Sequence, residues 1–187
     1  MNKGRYLKMD NRGGMDAEIK ALIQHFGFEP LPVEGTLFVS TYRSGDMPNG
    51  KPYGTGMIGM YCHEPRSISY FHKLTIDEMW HFYGGDPLRL ILFYPDGSSR
   101  DVVLGNDPLK GQHVQYVIPA GVWQAGHCIE NGTYSLFGCT LAPGFTGDIF
   151  TGGTQAELLK LYPDRMKDIL EYGLTGGETE MPEGFAS

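Results

Sequence analysis

The stretch "SYFHKLTIDEMWHFYGGDP", Ser69 to Pro87, decides how the rest of the chain reads. Side chains alternate along a strand, so Tyr70, His72 and Leu74 share one face. After a turn, Glu78, Trp80 and Phe82 share a face of the next strand, with His81 on the opposite one. Gly84 and Gly85 then mark another break. A histidine and a carboxylate on neighbouring strands, both directed into a barrel, could share a metal ion or hold a polar ligand.

The surroundings agree with strands. From Gly35 to Phe150 short apolar or alternating runs lie between turn signals: "TLFVSTYR", "TGMIGMYC", "ISYFHKL", "DEMWHFYGG", "LRLILFYPDG", "RDVVLG", "VQYVIPAG" and "TYSLFGCTLAP". "PDGS" has the composition of a hairpin turn. No helical period interrupts the series, which excludes parallel βαβ units and predicts a sandwich or barrel. The 27 glycines are about twice the usual share of roughly 7%, in keeping with many tight turns.

Helices are expected only at the flanks. Ile19, Leu22, Ile23 and Phe26 form one apolar stripe between an Asp16 N-cap and a terminating Gly27. Near the other end, Thr154 to Glu157 has capping-box spacing, and Leu158, Leu159 and Leu161 follow. Beyond Pro163, Met166, Ile169 and Leu170 offer a second short apolar face. The predicted organisation is a disordered segment over 1–14, a single domain over 15–173 and a polar, fraying tail over 174–187. For 187 residues one domain with a sizeable core is the expected size.

Charge and cysteine usage narrow the function classes. Net charge is −7, with 22 acidic and 15 basic residues and no basic run, which argues against nucleic acid as a partner. Cys62, Cys128 and Cys139 are an odd number without close spacing, so they read as reduced core thiols rather than disulfides or a zinc site. With no signal-peptide core and no run of about 18 apolar residues, no membrane association and a cytoplasmic location are the expectations. "LRLILFYP" is apolar on both parities, with Leu88, Leu90 and Leu92 on one and Ile91 and Phe93 on the other. A strand buried on both sides needs a covering layer, so a homodimer is expected.

The opening stretch resembles the first cupin motif: histidine, any residue, histidine, a short gap, glutamate, a longer gap, glycine. His72, Glu78 and Gly85 take the first histidine, the glutamate and the glycine, while Leu74 stands at the second histidine. In the second cupin motif, "PAGVWQ" supplies Pro119 and Gly121, and Gln124 stands where a histidine is usual. The ordered set "FHKLTIDEMWHFYGGDPLRL", "LG", "GQ", "VIPAGVWQA" and "GCTLAPGF", with "TYRS" before it, is similar to the Cupin-5 family, domain of unknown function 985, over residues 16 to 172. The resemblance implies an all-β jelly-roll barrel with a ligand-sized cavity, often paired as a dimer. It implies four metal-ligand positions, of which two keep a donor of the usual kind, so neither a resident metal nor any other cofactor is expected.

The leading expectation is a small-molecule-binding cupin, acting on or sensing a sugar or other polar metabolite. By analogy with metal-free cupin epimerases, His72 is the candidate base, Glu78 its partner, and Tyr42 or Tyr70 the acid. Tyr42, Arg43, Tyr70, Trp80 and Gln124 are the candidate ligand-binding residues, Arg43 as a clamp for an anionic group. Two alternatives stand beside it. One is a metal-dependent oxygenase or isomerase with a third ligand from His63, His81 or His127, and the other is a non-catalytic binding or assembly module.

Overall fold

Asp16 and Gly27 bound the first helix in the computed structural model, which describes residues 16–186. The predicted disorder of 1–14 therefore lies outside the described residues. In α1 (Ala17–Phe26) the Asp16 carboxylate accepts the Glu18 N–H at 2.8 Å, and Gly27 ends the helix at φ 67°. Its stripe packs with Phe28, Leu37 and Met60 on the outside of a sheet.

Eleven strands follow among the described residues: β1 (Glu29–Pro30), β2 (Leu37–Arg43), β3 (Thr55–Cys62), β4 (Ser69–Leu74), β5 (Glu78–Gly85) and β6 (Leu88–Phe93). The series continues with β7 (Ser99–Leu104), β8 (Gln115–Ile118), β9 (Trp123–Cys128), β10 (Tyr134–Leu141) and β11 (Phe150–Gly152). They form two antiparallel sheets, in the orders β1-β2-β3-β10-β5-β8 and β11-β4-β9-β6-β7. This is the expected all-β jelly roll.

Each of the eight predicted segments carries a strand, and β1, β9 and β11 are additional. Strand β9 lacks the β-branched residues that mark a strand, because "WQAGHC" is mostly small or polar. It nevertheless lies between β4 and β6, and its glycine has a packing reason. A Cβ on Gly126 would lie 2.5 Å from the Tyr61 phenol oxygen, so only glycine lets that ring sit between the sheets.

Strand β6 is buried on both faces. Leu88, Leu90 and Leu92 point into the barrel, and Ile91 and Phe93 point away from it. The outer layer is supplied by the chain itself, through α2 (Gln155–Leu161) and α3 (Met166–Tyr172), whose Leu158, Ile169 and Tyr172 cover Ile91 and Phe93. The argument for a second copy as cover of this strand therefore falls away. Thr154 caps α2 as its spacing predicts, its hydroxyl accepting the Glu157 N–H at 3.2 Å. Of the predicted apolar face on α3, Ile169 is buried while Met166 and Leu170 are exposed. Tyr172 takes the inward position instead, because α3 starts after a 3₁₀ turn over Pro163–Arg165 that resets the phase.

The C-terminal segment, expected to fray, folds back along the barrel. Gly152 N–H donates to the Thr179 carbonyl at 2.6 Å, and Met181 is buried among Leu31, Leu74 and Ile149. Two apolar side chains in this polar segment, Met181 and Phe185, join the cluster there.

The barrel interior is unevenly filled. At one end Tyr61, Trp80, Phe82, Leu90 and Phe137 pack together in one buried cluster, and Trp80 stacks on Phe137 with ring centroids 4.7 Å apart. At the other end a cavity of about 310 Å³ is left between the sheets.

Candidate functional site

Five strands and one loop deliver polar groups to the cavity, Thr55 coming from β3. Strand β4 contributes His72 and Leu74, β5 contributes Glu78, and β10 contributes Cys139. The loop between β1 and β2 contributes Glu34, and β2 contributes Arg43. His72, Glu78 and Glu34 are almost fully buried and make the floor. Arg43, with its side chain 34% exposed, belongs to the rim. Most of the remaining lining is apolar, including Phe38, Met57, Leu141, Phe145 and Phe185.

Strand β4 changes parity before it reaches the site. Its pairing with β9 shifts register between Ser69 and His72, which is a bulge. Ser69 points inward to Glu34, while Tyr70 and Phe71 pack on the helix side and His72 turns inward again. Simple alternation put Tyr70 beside His72, and the bulge removes it from the cavity.

His72 is oriented by two partners. A carbonyl can only accept, so Nδ1–H donates to the Tyr70 carbonyl at 2.8 Å. That leaves Nε2 facing Glu34, whose Oε2 lies 3.7 Å away. Phe150 stacks on the imidazole at 5.2 Å between centroids and restricts its rotation.

Glu34 had no counterpart in the sequence reading, yet it is buried on the floor of the cavity and hydrogen-bonded there. Its Oε1 accepts from the Thr36 and Ser69 hydroxyls, each at 2.6 Å. Ser69 in turn is hydrogen-bonded to the buried phenol of Tyr61. Burial pushes the Tyr61 phenol well above its usual value, and the nearby Glu34 carboxylate adds to this. The backbone before Glu34 is tightly folded, with Val33 at φ 63°, a conformation that a β-branched residue rarely adopts. The signal in the sequence was faint: one acid followed by Gly35 and Thr36 in a segment otherwise read as a chain break.

Glu78 is held by neutral donors. Its Oε2 accepts from the Gln124 amide at 2.7 Å and from the Trp80 indole at 3.0 Å. Burial pushes its carboxyl above the ordinary glutamate range; His72 opposes this, and Glu34 adds to it. The Cys139 thiol beside it is pushed well up by burial and then by Glu78.

The remaining candidates fall elsewhere. Gln124 is only 1% exposed and lies behind Glu78 rather than on the cavity wall, its own oxygen accepting from Trp80. Trp80 belongs to the filled end and reaches the site only through its indole N–H. Tyr42 is 58% exposed because a register shift between Ser40 and Tyr42 turns it outward, while Arg43 turns in. Arg43 donates to Asp46 at 3.2 Å and to the Ala186 carbonyl at 3.3 Å. Among the described residues no tyrosine lines the cavity, so neither Tyr42 nor Tyr70 is placed as an acid.

The donor set does not fit a resident transition metal. Leu74 has no donor atom, and the Gln124 amide is engaged with Glu78 and Trp80. The three alternative histidines lie outside the cavity: His63 contacts the Ile129 carbonyl, His81 contacts Thr140 and Gln115, and His127 stacks on Tyr172. Among the described residues no group of three or more His, Cys, Asp or Glu side chains is arranged to hold a metal ion. Nor is any helix among them long and apolar enough to cross a membrane.

Comparison with known proteins gives the same fold. A solved protein from Shewanella oneidensis is 30% identical, with a TM-score of 0.76, covering 82% of this chain and 96% of that one. A hypothetical protein from Leishmania major is 28% identical, with a TM-score of 0.74, covering 83% and 98% respectively. An uncharacterized protein of Saccharomyces cerevisiae is 29% identical over 129 residues, which is 60% of this chain and 64% of that relative. The match thus spans less than two thirds of the yeast protein's length. Residues 20–151 match the family described as Cupin superfamily (DUF985), and the chain belongs to that family.

Proposed function

We propose that the barrel binds a small polar metabolite and that His72 moves a proton on it without a metal, in the manner of an isomerase or epimerase. The observation that carries this reading is the orientation of His72. Its Nδ1 proton is held by the Tyr70 carbonyl, and its Nε2 faces Glu34 on the floor of the cavity. A neutral imidazole so oriented presents a lone pair to the cavity, and an adjacent carboxylate stabilises the imidazolium that forms when it accepts a proton.

The chemistry is a proton transfer at a carbon next to a carbonyl. Nε2 takes the proton, and the C–H electron pair moves into a carbon–carbon double bond as the carbonyl oxygen gains negative charge. Burial raises the Glu78 carboxyl above its ordinary range, and in its protonated form it would donate a hydrogen bond to that oxygen. Return of the proton to the other face, or to the neighbouring carbon, gives an epimer or an isomer with no net oxidation. The apolar upper walls accommodate the non-reacting part of the molecule.

The test has two stages. A panel of sugars, sugar phosphates and keto acids is screened for stabilisation of the protein against heat. Stabilising compounds are then incubated with the protein in D2O, and deuterium on carbon is measured by mass spectrometry. The reading expects one exchanged deuterium per molecule, and expects His72→Gln to keep the thermal shift while losing exchange. Binding without exchange in the wild-type chain would instead support a non-catalytic binding module.

A further inference from the structure

On the cavity floor one carboxyl group has an engaged oxygen and a bare one. Glu34 Oε1 accepts from the Thr36 and Ser69 hydroxyls, each at 2.6 Å. Among the described residues Oε2 has no hydrogen-bond partner, and it lies 3.7 Å from His72 Nε2, too far for a direct bond. The side chain is only 10% exposed, and a carboxyl oxygen left without a donor at that depth is costly. The loop fixes its direction. Glu34 N–H donates to the Pro32 carbonyl at 2.6 Å, and the Glu34 carbonyl accepts the Tyr70 N–H at 2.9 Å. Leu31 N–H donates to the Thr36 carbonyl at 2.7 Å and closes the loop. With the backbone tied on both sides and Oε1 held by two hydroxyls, Oε2 is set in the cavity before any ligand arrives.

The polar groups of the cavity are sorted by depth. The floor presents acceptors: Glu34 Oε2 and, because Nδ1 carries the proton, the lone pair on His72 Nε2. The rim presents donors, since Arg43 lines the cavity and a guanidinium has more N–H groups than the two given to Asp46 and to the Ala186 carbonyl. A complementary ligand therefore carries a donor at its inner end and anionic oxygens at its outer end. An ammonium at the inner end would oppose the imidazolium that His72 becomes on accepting a proton, so the inner donor is a hydroxyl. That choice rests on the proton-transfer reading of the site. A volume of about 310 Å³ is at the low end for small-molecule sites and suits a short carbon chain between the two ends.

We infer that Glu34 and Arg43 are the two recognition points of the cavity, and that they select a short-chain hydroxy compound with an anionic end, its hydroxyl donating to Glu34 Oε2 and its phosphate or carboxylate held by Arg43. The 3.7 Å gap lets one hydroxyl oxygen touch both Oε2 and Nε2, which brings the carbon bearing it next to the imidazole. Glu34 thereby sets specificity as well as facing the base.

Binding of simple probes tests this without turnover. The full chain is titrated calorimetrically at low ionic strength with glycerol phosphate and glycerate, which carry both groups. Propyl phosphate and propionate lack the hydroxyls, and glycerol lacks the anion. At least one of the two-group probes should bind on the order of tenfold or more tighter than its hydroxyl-free counterpart and than glycerol, and which one does so identifies the anion. Glu34→Gln keeps an oxygen for Thr36 and Ser69 and turns an amide N–H to the cavity. It should bring the affinity for the two-group probe down to that of its hydroxyl-free counterpart and leave the latter unchanged. Arg43→Gln should weaken both. Equal affinities for hydroxylated and hydroxyl-free anions in the wild-type chain would overturn the role of Glu34, however its variant folds. Glycerol binding as tightly as the anions, or unchanged affinities in Arg43→Gln, would overturn the role of Arg43. Failure of both two-group probes to bind at millimolar concentration would overturn the ligand class. Aminopropyl phosphate binding more tightly than glycerol phosphate would overturn the choice of a hydroxyl. None of these titrations involves exchange at carbon, so binding of a hydroxy anion without deuterium uptake would refute the proton transfer and leave the two recognition points standing.

Discussion

The two ends of the barrel are built from the same strands and have opposite chemistry. On β5, Trp80 and Phe82 enter the filled end, while Glu78, two residues earlier, enters the open one. On β10, Phe137 packs the filled end while Cys139 and Leu141 reach the cavity. Sheet geometry is continuous through both. What differs is the size of the inward side chains: three aromatic rings, Tyr61, Trp80 and Phe137, interlock at one end. The comparison teaches that the fold's stability and its pocket are separable along the barrel axis. The filled end keeps the sheets together, which allows polar, costly groups such as Glu34 and Glu78 at the other end.

The separation can be tested by substitution at each end. The largest effect is expected at Phe137, whose truncation to alanine leaves a cavity under Tyr61 and Trp80 and should cost about 3–5 kcal/mol in urea unfolding. A loss below about 1 kcal/mol would mean that the filled end does not dominate stability. At the open end His72→Gln should cost only about 1 kcal/mol, the order of one lost hydrogen bond. The same variant should lose deuterium exchange into a bound metabolite by about two orders of magnitude or more.

A subtler difference concerns pH. The Glu78 carboxyl has a folded-state value above its unfolded one, so between the two the folded chain holds a proton that the unfolded chain has lost. Stability from this group is present below the unfolded value, about 4.3, and is lost as pH rises through the raised folded value. Glu78→Gln can still accept from Trp80 and Gln124 through its amide oxygen. Its unfolding midpoint should therefore fall less over this window than that of the wild type. An identical pH profile would show that Glu78 does not titrate abnormally. The smallest effect is expected for Tyr42→Ala, which is outside both ends and should change stability by less than about 0.5 kcal/mol and leave ligand-induced stabilisation intact.

The strands were legible because their side chains alternate, and the two cupin motifs placed His72 and Glu78 on inward faces, which the structure puts on opposite sheets. Legibility failed where alternation did. The bulge before His72 and the register shift before Tyr42 each add one residue, which reverses parity and sends Tyr70 and Tyr42 out of the cavity. No composition rule announces such an insertion. Strand β9 was hidden by its small residues, although it carries Gln124. Glu34 and Phe185 were hidden for another reason: both reach the cavity from irregular segments, where a residue's direction depends on distant partners such as Ser69 and Gly147.

Gly126 ties the two ends together mechanically. The space it leaves is filled by the Tyr61 ring, which leans on Phe137 at 4.5 Å between centroids while its hydroxyl contacts Ser69. Ser69 donates to Glu34, and Glu34 faces His72. The phenol is thus a rigid spacer whose one edge registers packing and whose tip sets the length of a hydrogen-bond relay. Reshaping the aromatic cluster moves that tip, and with it the electric field felt by an imidazole that the cluster never touches. Imidazole nuclear resonance would accordingly report on a methyl group gained or lost at the opposite end of the barrel.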